Sequence, residues 1–118
     1  FVKNVDSLDD NDIGLDIGPE TIKMFIKNLK DLDTVIWNGP LGYFENKNFS
    51  KGTLSIAKKI SSDTDNKSLI SIIGGGDTIA AIKNVEFRKV FTHLSTAGGA
   101  FLESIEGKEL PGIKVLKK

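Results

Sequence analysis

The chain contains no cysteine, which excludes disulfide staples, thiolate metal sites and cysteine nucleophiles. A reducing compartment fits that usage without being required by it. Histidine is nearly as scarce: His93 is the only one, so neither a zinc ligand set nor a Ser-His-Asp arrangement is in view. With no clustered partners, His93 is read as a structural histidine. No apolar run reaches the roughly 18 residues of a membrane-spanning helix, and Phe1, Val2 and Lys3 do not open a signal peptide. Excess charge is lacking too. Sixteen basic residues balance sixteen acidic ones, which argues against a nucleic-acid partner, since such binders carry a basic stripe. At 39% hydrophobic and 27% charged, the 118 residues have the composition of one soluble globular domain. Without an initiator methionine, the chain is expected to be a piece of a longer one.

What is present is glycine, gathered where apolar runs end. Residues 69–73 lead into Gly74, Gly75, Gly76, Asp77 and Thr78. Residues 34–37 lead into Asn38, Gly39, Pro40, Leu41 and Gly42, and residues 90–95 into Thr96, Ala97, Gly98, Gly99 and Ala100. In an open α/β sheet such strand ends share one edge. Glycine-rich turns there offer backbone N–H groups to an anion, so the pattern points to a phosphate-rich ligand.

Between these loops the apolar spacing alternates between helix and strand. Ile22, Phe25, Ile26 and Leu29 recur at helical spacing behind Pro19, which fits a first helical position, and predict a helix over 19–30. The β-branched run 34–37 reads as a central parallel strand covered on both faces. Leu54, Ile56, Ala57 and Ile60 predict a helix over 53–60, ended by the polar run 61–67. A strand over 69–73, a short buried helix over 78–83 capped by Asp77, a strand over 89–94 and a short helix over 100–106 complete the pattern. The expected fold is α/β: a parallel, Rossmann-like three-layer sheet with right-handed crossovers. Residues 3–14 hold Asp6, Asp9, Asp10 and Asp12 in a polar stretch. It reads as a solvated loop, because the spacing lacks the glycine and distal Glu of a calcium loop.

Physical chemistry gives each loop a candidate role. A phosphate needs several N–H donors within about 3 Å, and a Cβ at the turn would hold its oxygens away, so glycines suit residues 74–76. The following helix adds partial positive charge. Asp77 beside an anion fits if it caps that helix or holds a magnesium ion shared with the phosphates. Neither a Walker A loop nor a dinucleotide fingerprint is formed, since no Gly-Lys-Ser/Thr follows and Ile79 stands in the third glycine's place. Asn38, Gly39, Pro40 and Gly42 with Tyr43 and Phe44 make a low-profile, partly aromatic surface suited to a planar base. Trp37 reads as core. Glu45 is either a hydrogen-bond acceptor for ribose hydroxyls or a solvated surface acid.

Taken together, these segments closely resemble the C-terminal part of phosphoglycerate kinase. The resemblance lies in Gly14-Leu-Asp-Ile-Gly-Pro-Glu-Thr21, Trp37-Asn-Gly-Pro-Leu-Gly-Tyr-Phe-Glu45, Gly74-Gly-Gly-Asp-Thr78, Ser95-Thr-Ala-Gly-Gly-Ala100 and Leu102-Glu-Ser-Ile-Glu-Gly-Lys-Glu-Leu-Pro-Gly112, in the family's order. It implies reversible phosphoryl transfer between 1,3-bisphosphoglycerate and ADP, giving 3-phosphoglycerate and ATP in glycolysis, with Mg2+. By the matching positions, Asn38, Gly39, Pro40 and Tyr43 would border the adenosine and Glu45 would hold the ribose. Gly75, Gly76 and Thr78 would lie along the phosphates, with Asp77 on the metal. Gly98 and Gly99 would donate N–H groups to the phosphoryl in flight, an electrostatic role shared with Thr78.

The resemblance also implies that residues 1–118 are the C-terminal portion of the nucleotide-binding domain, in a parent that is monomeric and cytoplasmic or plastid. The substrate domain, and with it the 3-phosphoglycerate site, is not among these residues, and no membrane partner is expected. The chain alone is therefore expected not to turn over. Ala97 stands where the family usually has a third glycine, and Tyr43 where it usually has a small aliphatic residue. Two other readings remain open: a non-catalytic nucleotide-binding half-domain or degenerate paralogue, and a nicotinamide-dependent dehydrogenase. The second is disfavoured by the lack of a third glycine and of an acid about 20 residues on.

Overall fold

The computed structural model describes residues 1–66, 69–83, 90–96 and 106–107. Its elements are α1 (Pro19–Leu29), β1 (Thr34–Asn38), α2 (Lys51–Asp65), β2 (Ile70–Gly74), α3 (Gly76–Ile82) and β3 (His93–Ser95), with short 3-10 turns at Val5–Ser7 and Lys47–Phe49. The three strands are parallel, in the order β1-β2-β3. Thr34 pairs with Ile70 and Asn38 with Gly74, while Ile72 pairs with His93 and Gly74 with Ser95. The parallel α/β sheet expected from the alternation is present.

Strand alternation puts Val35, Trp37, Ser71, Ile73 and Leu94 on one face. That face carries the core. Trp37 and Ile73 pack with Ile56, Ala57 and Ile60 of α2, Ile82 of α3, and Leu69 and Phe91, while Phe25, Ile26 and Leu29 of α1 close over them. Burying one such isoleucine stabilises the fold by about 1.5–3 kcal/mol. The other face carries Ile36, 48% exposed, and Ile70, 51% exposed. The expectation that 34–37 is a central strand is therefore corrected: β1 is an edge strand among the described residues, and β2 is the middle one.

Three boundaries also differ, each for a local reason. α2 runs to Asp65 instead of Ile60, because its polar last turn is used. Ser61 is buried, Thr64 Oγ1 donates to the Ile60 carbonyl and lies 2.9 Å from Ser71 Oγ, and Lys59 pairs with Asp63 at 3.1 Å. α3 begins at Gly76 with Gly75 at the N-cap, so Asp77 lies in the first turn and does not cap it. The positive φ of Gly75, +93°, turns the chain before Asp77 is reached. Among the described residues β3 spans His93–Ser95, because Thr92 and Ser71 bond through their hydroxyls instead: Ser71 N–H to Thr92 Oγ1 at 3.0 Å, and Thr92 N–H to Ser71 Oγ at 3.1 Å. The expected helix over 100–106 lies outside the described residues, apart from a turn at Glu106 and Gly107.

The polar stretch 3–14 is exposed, as its composition requires. Lys3 Nζ meets Asp12 at 2.8 Å and Asp9 at 3.5 Å. Among the described residues, no helix is long and apolar enough to cross a membrane.

Candidate functional site

Asn38, Gly74 and Ser95 lie side by side at the carboxyl edge of the sheet, paired in register. The loops that leave Asn38 and Gly74 emerge together, the placement at which open α/β sheets bind ligands. They are bonded to one another. The Gly39 N–H donates to Thr78 Oγ1 at 2.6 Å, and the Gly75 N–H donates to the Ser95 carbonyl at 2.9 Å. A Cβ on Gly75 would stand 3.2 Å from Asn38 Oδ1, so the second loop sits close against the first.

The 39–43 segment is fixed along its length. Gly39, at φ +109°, accepts Trp37 Nε1–H on its carbonyl at 2.6 Å, which satisfies the indole of a buried core residue. The Leu41 N–H donates to Thr53 Oγ1 at 2.9 Å, and the Tyr43 N–H to the Leu15 carbonyl at 2.7 Å. Residues 14–17 thereby face residues 40–43 across a cleft of about 390 Å³. That volume lies in the range of small-molecule sites, about 300–1,000 Å³. A hollow of about 420 Å³ lies at the opposite end of the strands, bordered by Lys30, Asp31, Asp33, Lys59 and Asp63, away from the glycine loops.

The amides of Gly39, expected at the adenosine, and Gly75, expected at a phosphate, are already engaged within the protein. The donors left by helix geometry are the N–H groups of Gly76, Asp77 and Thr78, since the first bond into α3 is Ile79 N–H to the Gly75 carbonyl at 3.1 Å. Asp77 is exposed on that first turn. One carboxylate does not make a cage, and no group of three His, Cys, Asp or Glu that could hold a metal exists among the described residues. A single hard oxygen donor beside a glycine-rich turn at a helix start has the chemistry Mg2+ would need if phosphates supplied its other ligands, since Mg2+ binds through one or two carboxylates plus substrate phosphates.

A family model described as phosphoglycerate kinase matches residues 1–108. The chain belongs to the phosphoglycerate kinase family. It is 48% identical over 116 residues to a phosphoglycerate kinase of Dictyoglomus turgidum, covering 98% of this chain and 28% of that protein. It is 50% identical over 111 residues to one of Staphylococcus aureus strain JH9, covering 94% of this chain and 27% of that protein. The structure of phosphoglycerate kinase from Coxiella burnetii superimposes with a TM-score of 0.86 at 43% identity, over 98% of this chain and 29% of that one. The chain thus spans a little over a quarter of the length of these phosphoglycerate kinases.

Within the phosphoglycerate kinase pattern, the structure brings Asn38, Gly39, Gly75 and Thr78 together. Pro40 and Tyr43 line the cleft, with Tyr43 53% exposed, and Glu45 is exposed beyond it. Gly76 and Asp77 are exposed at the start of α3. Gly98 and Gly99 lie outside the described residues. Thr78 is fully buried, and its hydroxyl accepts from Gly39, so it holds two loops together in addition to any ligand contact. Asp16 and Thr53 were not singled out as site residues, yet both hold the 40–43 loop or its neighbours. Asp16 lies inside a recognisable motif, but nothing in its spacing says which distant amide it meets.

Proposed function

We propose that residues 1–118 are the C-terminal portion of the nucleotide-binding domain of a phosphoglycerate kinase, working in reversible phosphoryl transfer between 1,3-bisphosphoglycerate and Mg-ADP. The observation that carries the reading is the alignment of Asn38, Gly74 and Ser95 at one sheet edge, with the first two loops locked by Gly39 and Thr78. Family membership supports the chemistry.

In this reading the adenosine sits in the cleft between residues 14–17 and 40–43, bordered by Asn38, Gly39, Pro40 and Tyr43, with Glu45 accepting from ribose hydroxyls. The phosphates lie along Gly75, Gly76 and Thr78, where the free amides at the start of α3 favour negative charge. Asp77 would hold Mg2+, which when bound neutralises charge on the phosphates. The chain's own share of catalysis is positioning: rigid loops fix where the terminal phosphate points, and the amides of Gly98 and Gly99 stabilise charge on the transferred group. The acyl-phosphate substrate binds on a separate domain, in a cytoplasmic or plastid enzyme.

Because the chain spans about 28% of its relatives' length, a nucleotide-holding unit without turnover is the expectation for these 118 residues alone. Calorimetric titration with Mg-ADP tests the reading. The chain should bind, and Asp77→Asn should weaken binding about tenfold and remove its dependence on Mg2+, as loss of a charged ligand would. Unchanged affinity would take Asp77 off the metal. Failure of Mg-ADP to bind both this chain and a complete kinase containing it would overturn the assignment.

A further inference from the structure

The Asp16 carboxylate is held by its own neighbour and by the start of α2, with Gly42 close against it. Its Oδ1 accepts the Ile17 N–H at 2.8 Å, and its Oδ2 accepts the Gly52 N–H at 3.0 Å from 36 positions away. Gly52 is the second residue of α2, and the N-cap, Ser50, makes no cap bond because its Oγ donates to the Lys47 carbonyl at 2.9 Å. Asp16 therefore caps α2 in place of Ser50, with the sign of charge that a helix start favours. Gly42 closes on it from the third side: a Cβ there would stand 2.5 Å from Asp16 Oδ1 and 2.6 Å from the Phe49 carbonyl oxygen.

These contacts tie both walls of the cleft to one point. The first wall, residues 14–17, carries Asp16 itself and the Leu15 carbonyl that accepts Tyr43 N–H. The second wall, residues 40–43, hangs from Thr53 Oγ1 through Leu41, and Thr53 adjoins Gly52 in the first turn of α2. A shift of the α2 start relative to Asp16 would change the distance between the walls. Glycine at 42 and at 52 is what allows the carboxylate to sit between them, since a Cβ at Gly52 would also collide with Asp16 Oδ1.

We propose that Asp16 is a positioning residue that sets the width of the adenosine cleft by fastening both walls to the first turn of α2. The proposal rests on the reading of that cleft as the nucleotide seat. Both Asp16 oxygens are taken up by backbone N–H groups, and its role is to keep the cleft formed before the ligand arrives, so that binding does not have to order the loop.

The test combines steady-state kinetics of the complete kinase containing this segment with amide hydrogen exchange on the same protein. Asp16→Ala should raise KM for the nucleotide about tenfold while kcat and KM for 3-phosphoglycerate stay within about twofold, the loss expected for a charge-assisted hydrogen bond. Asp16→Asn keeps the volume and one acceptor oxygen, and should recover a large part of the loss. A fall in kcat at unchanged nucleotide KM, or an Asn variant as impaired as the Ala one, would overturn the proposal. Exchange separates this from the functional reading. Faster exchange at Gly52 and Tyr43, with β2 unchanged, supports the fastening role even if nucleotide fails to bind, whereas unchanged exchange at both sinks it whatever binds. If Asp16→Ala does not fold, the Asn variant decides by the same two measurements.

Discussion

The Gly39 amide and the Thr78 hydroxyl, 39 positions apart in the chain, meet at 2.6 Å, and that bond hangs the loop after β1 from the first turn of α3. Thr78 is fully buried. Thr78→Val keeps the shape and removes the acceptor, leaving the Gly39 N–H unpaired, so urea unfolding should show a loss of about 1–3 kcal/mol. Thr78→Ser restores the acceptor and should lose less. The order Thr, Ser, Val should hold for Mg-ADP affinity as well, and a Val variant as stable as the parent would show that water replaces the hydroxyl at no cost.

Gly75 and Gly76 separate backbone geometry from ligand contact. Gly75 has φ +93° and ψ 135°, a region strained for any L side chain, and its Cβ would press on Asn38. Gly75→Ala should cost about 1–3 kcal/mol in stability. At Gly76 a Cβ meets nothing within 4 Å, and the residue opens a helix, so Gly76→Ala should be neutral or stabilising by up to about 1 kcal/mol. If phosphates lie along this turn, that same methyl intrudes on them. A Gly76→Ala chain that melts no lower than the parent but binds Mg-ADP more weakly is the expected pair of results from thermal melting and calorimetry. Equal affinity would move the phosphates away from residue 76.

Strand and helix were legible where one local signal dominates. Pro19 with Ile22, Phe25, Ile26 and Leu29 marks α1 to within a residue, and the glycine runs mark where β1 and β2 stop. What escaped depends on partners distant in sequence. The run 61–67 looks like a loop until Thr64 and Ser61 are seen against β2, and Asp77 looks like a cap until Gly75 turns the chain first. The strand-end glycine runs that mark the candidate site were legible, and so was the family from motif order. The site's internal wiring was not, because a threonine hydroxyl or an aspartate oxygen carries no mark of the amide it will meet.

Acid should loosen the N-terminal stretch through Asp12. The backbone N–H of Asp9, and secondarily Lys3, hold its carboxyl below the ordinary value of 3.8. A group whose folded pKa is depressed contributes stability that is fully present above the unfolded value and is lost as pH falls through the folded one. The loss therefore falls below pH 3.8. Carboxyl-carbon NMR should show Asp12 titrating below the ordinary carboxylate value of 3.8, with the Asp9 amide exchanging faster once Asp12 is protonated. Raised salt should shrink the Lys3 share, because the pair lies at the surface with its side chains 35% and 30% exposed. An Asp12 carboxyl that titrates at or above 3.8 would contradict the bonded turn.

The 118-residue chain, purified alone, should associate with itself. Ile36 and Ile70 lie on the sheet face away from the core, each about half exposed, and β1 pairs only with β2 among the described residues, leaving an outer edge of unpaired N–H and C=O groups. An open edge beside an apolar face is a template for another strand. The edge has few of the devices that blunt such contacts: no proline and no charged residue stands within Thr34–Asn38. Sedimentation velocity over a rising concentration series should show the weight-average mass climbing. Ile36→Lys places a charge on that face at the edge strand, where pairing would bury it, and should return the chain to monomer without lowering its melting temperature, since Ile36 adds little to the core. A parent chain that stays monomeric throughout would mean that the face is covered by residues outside those described.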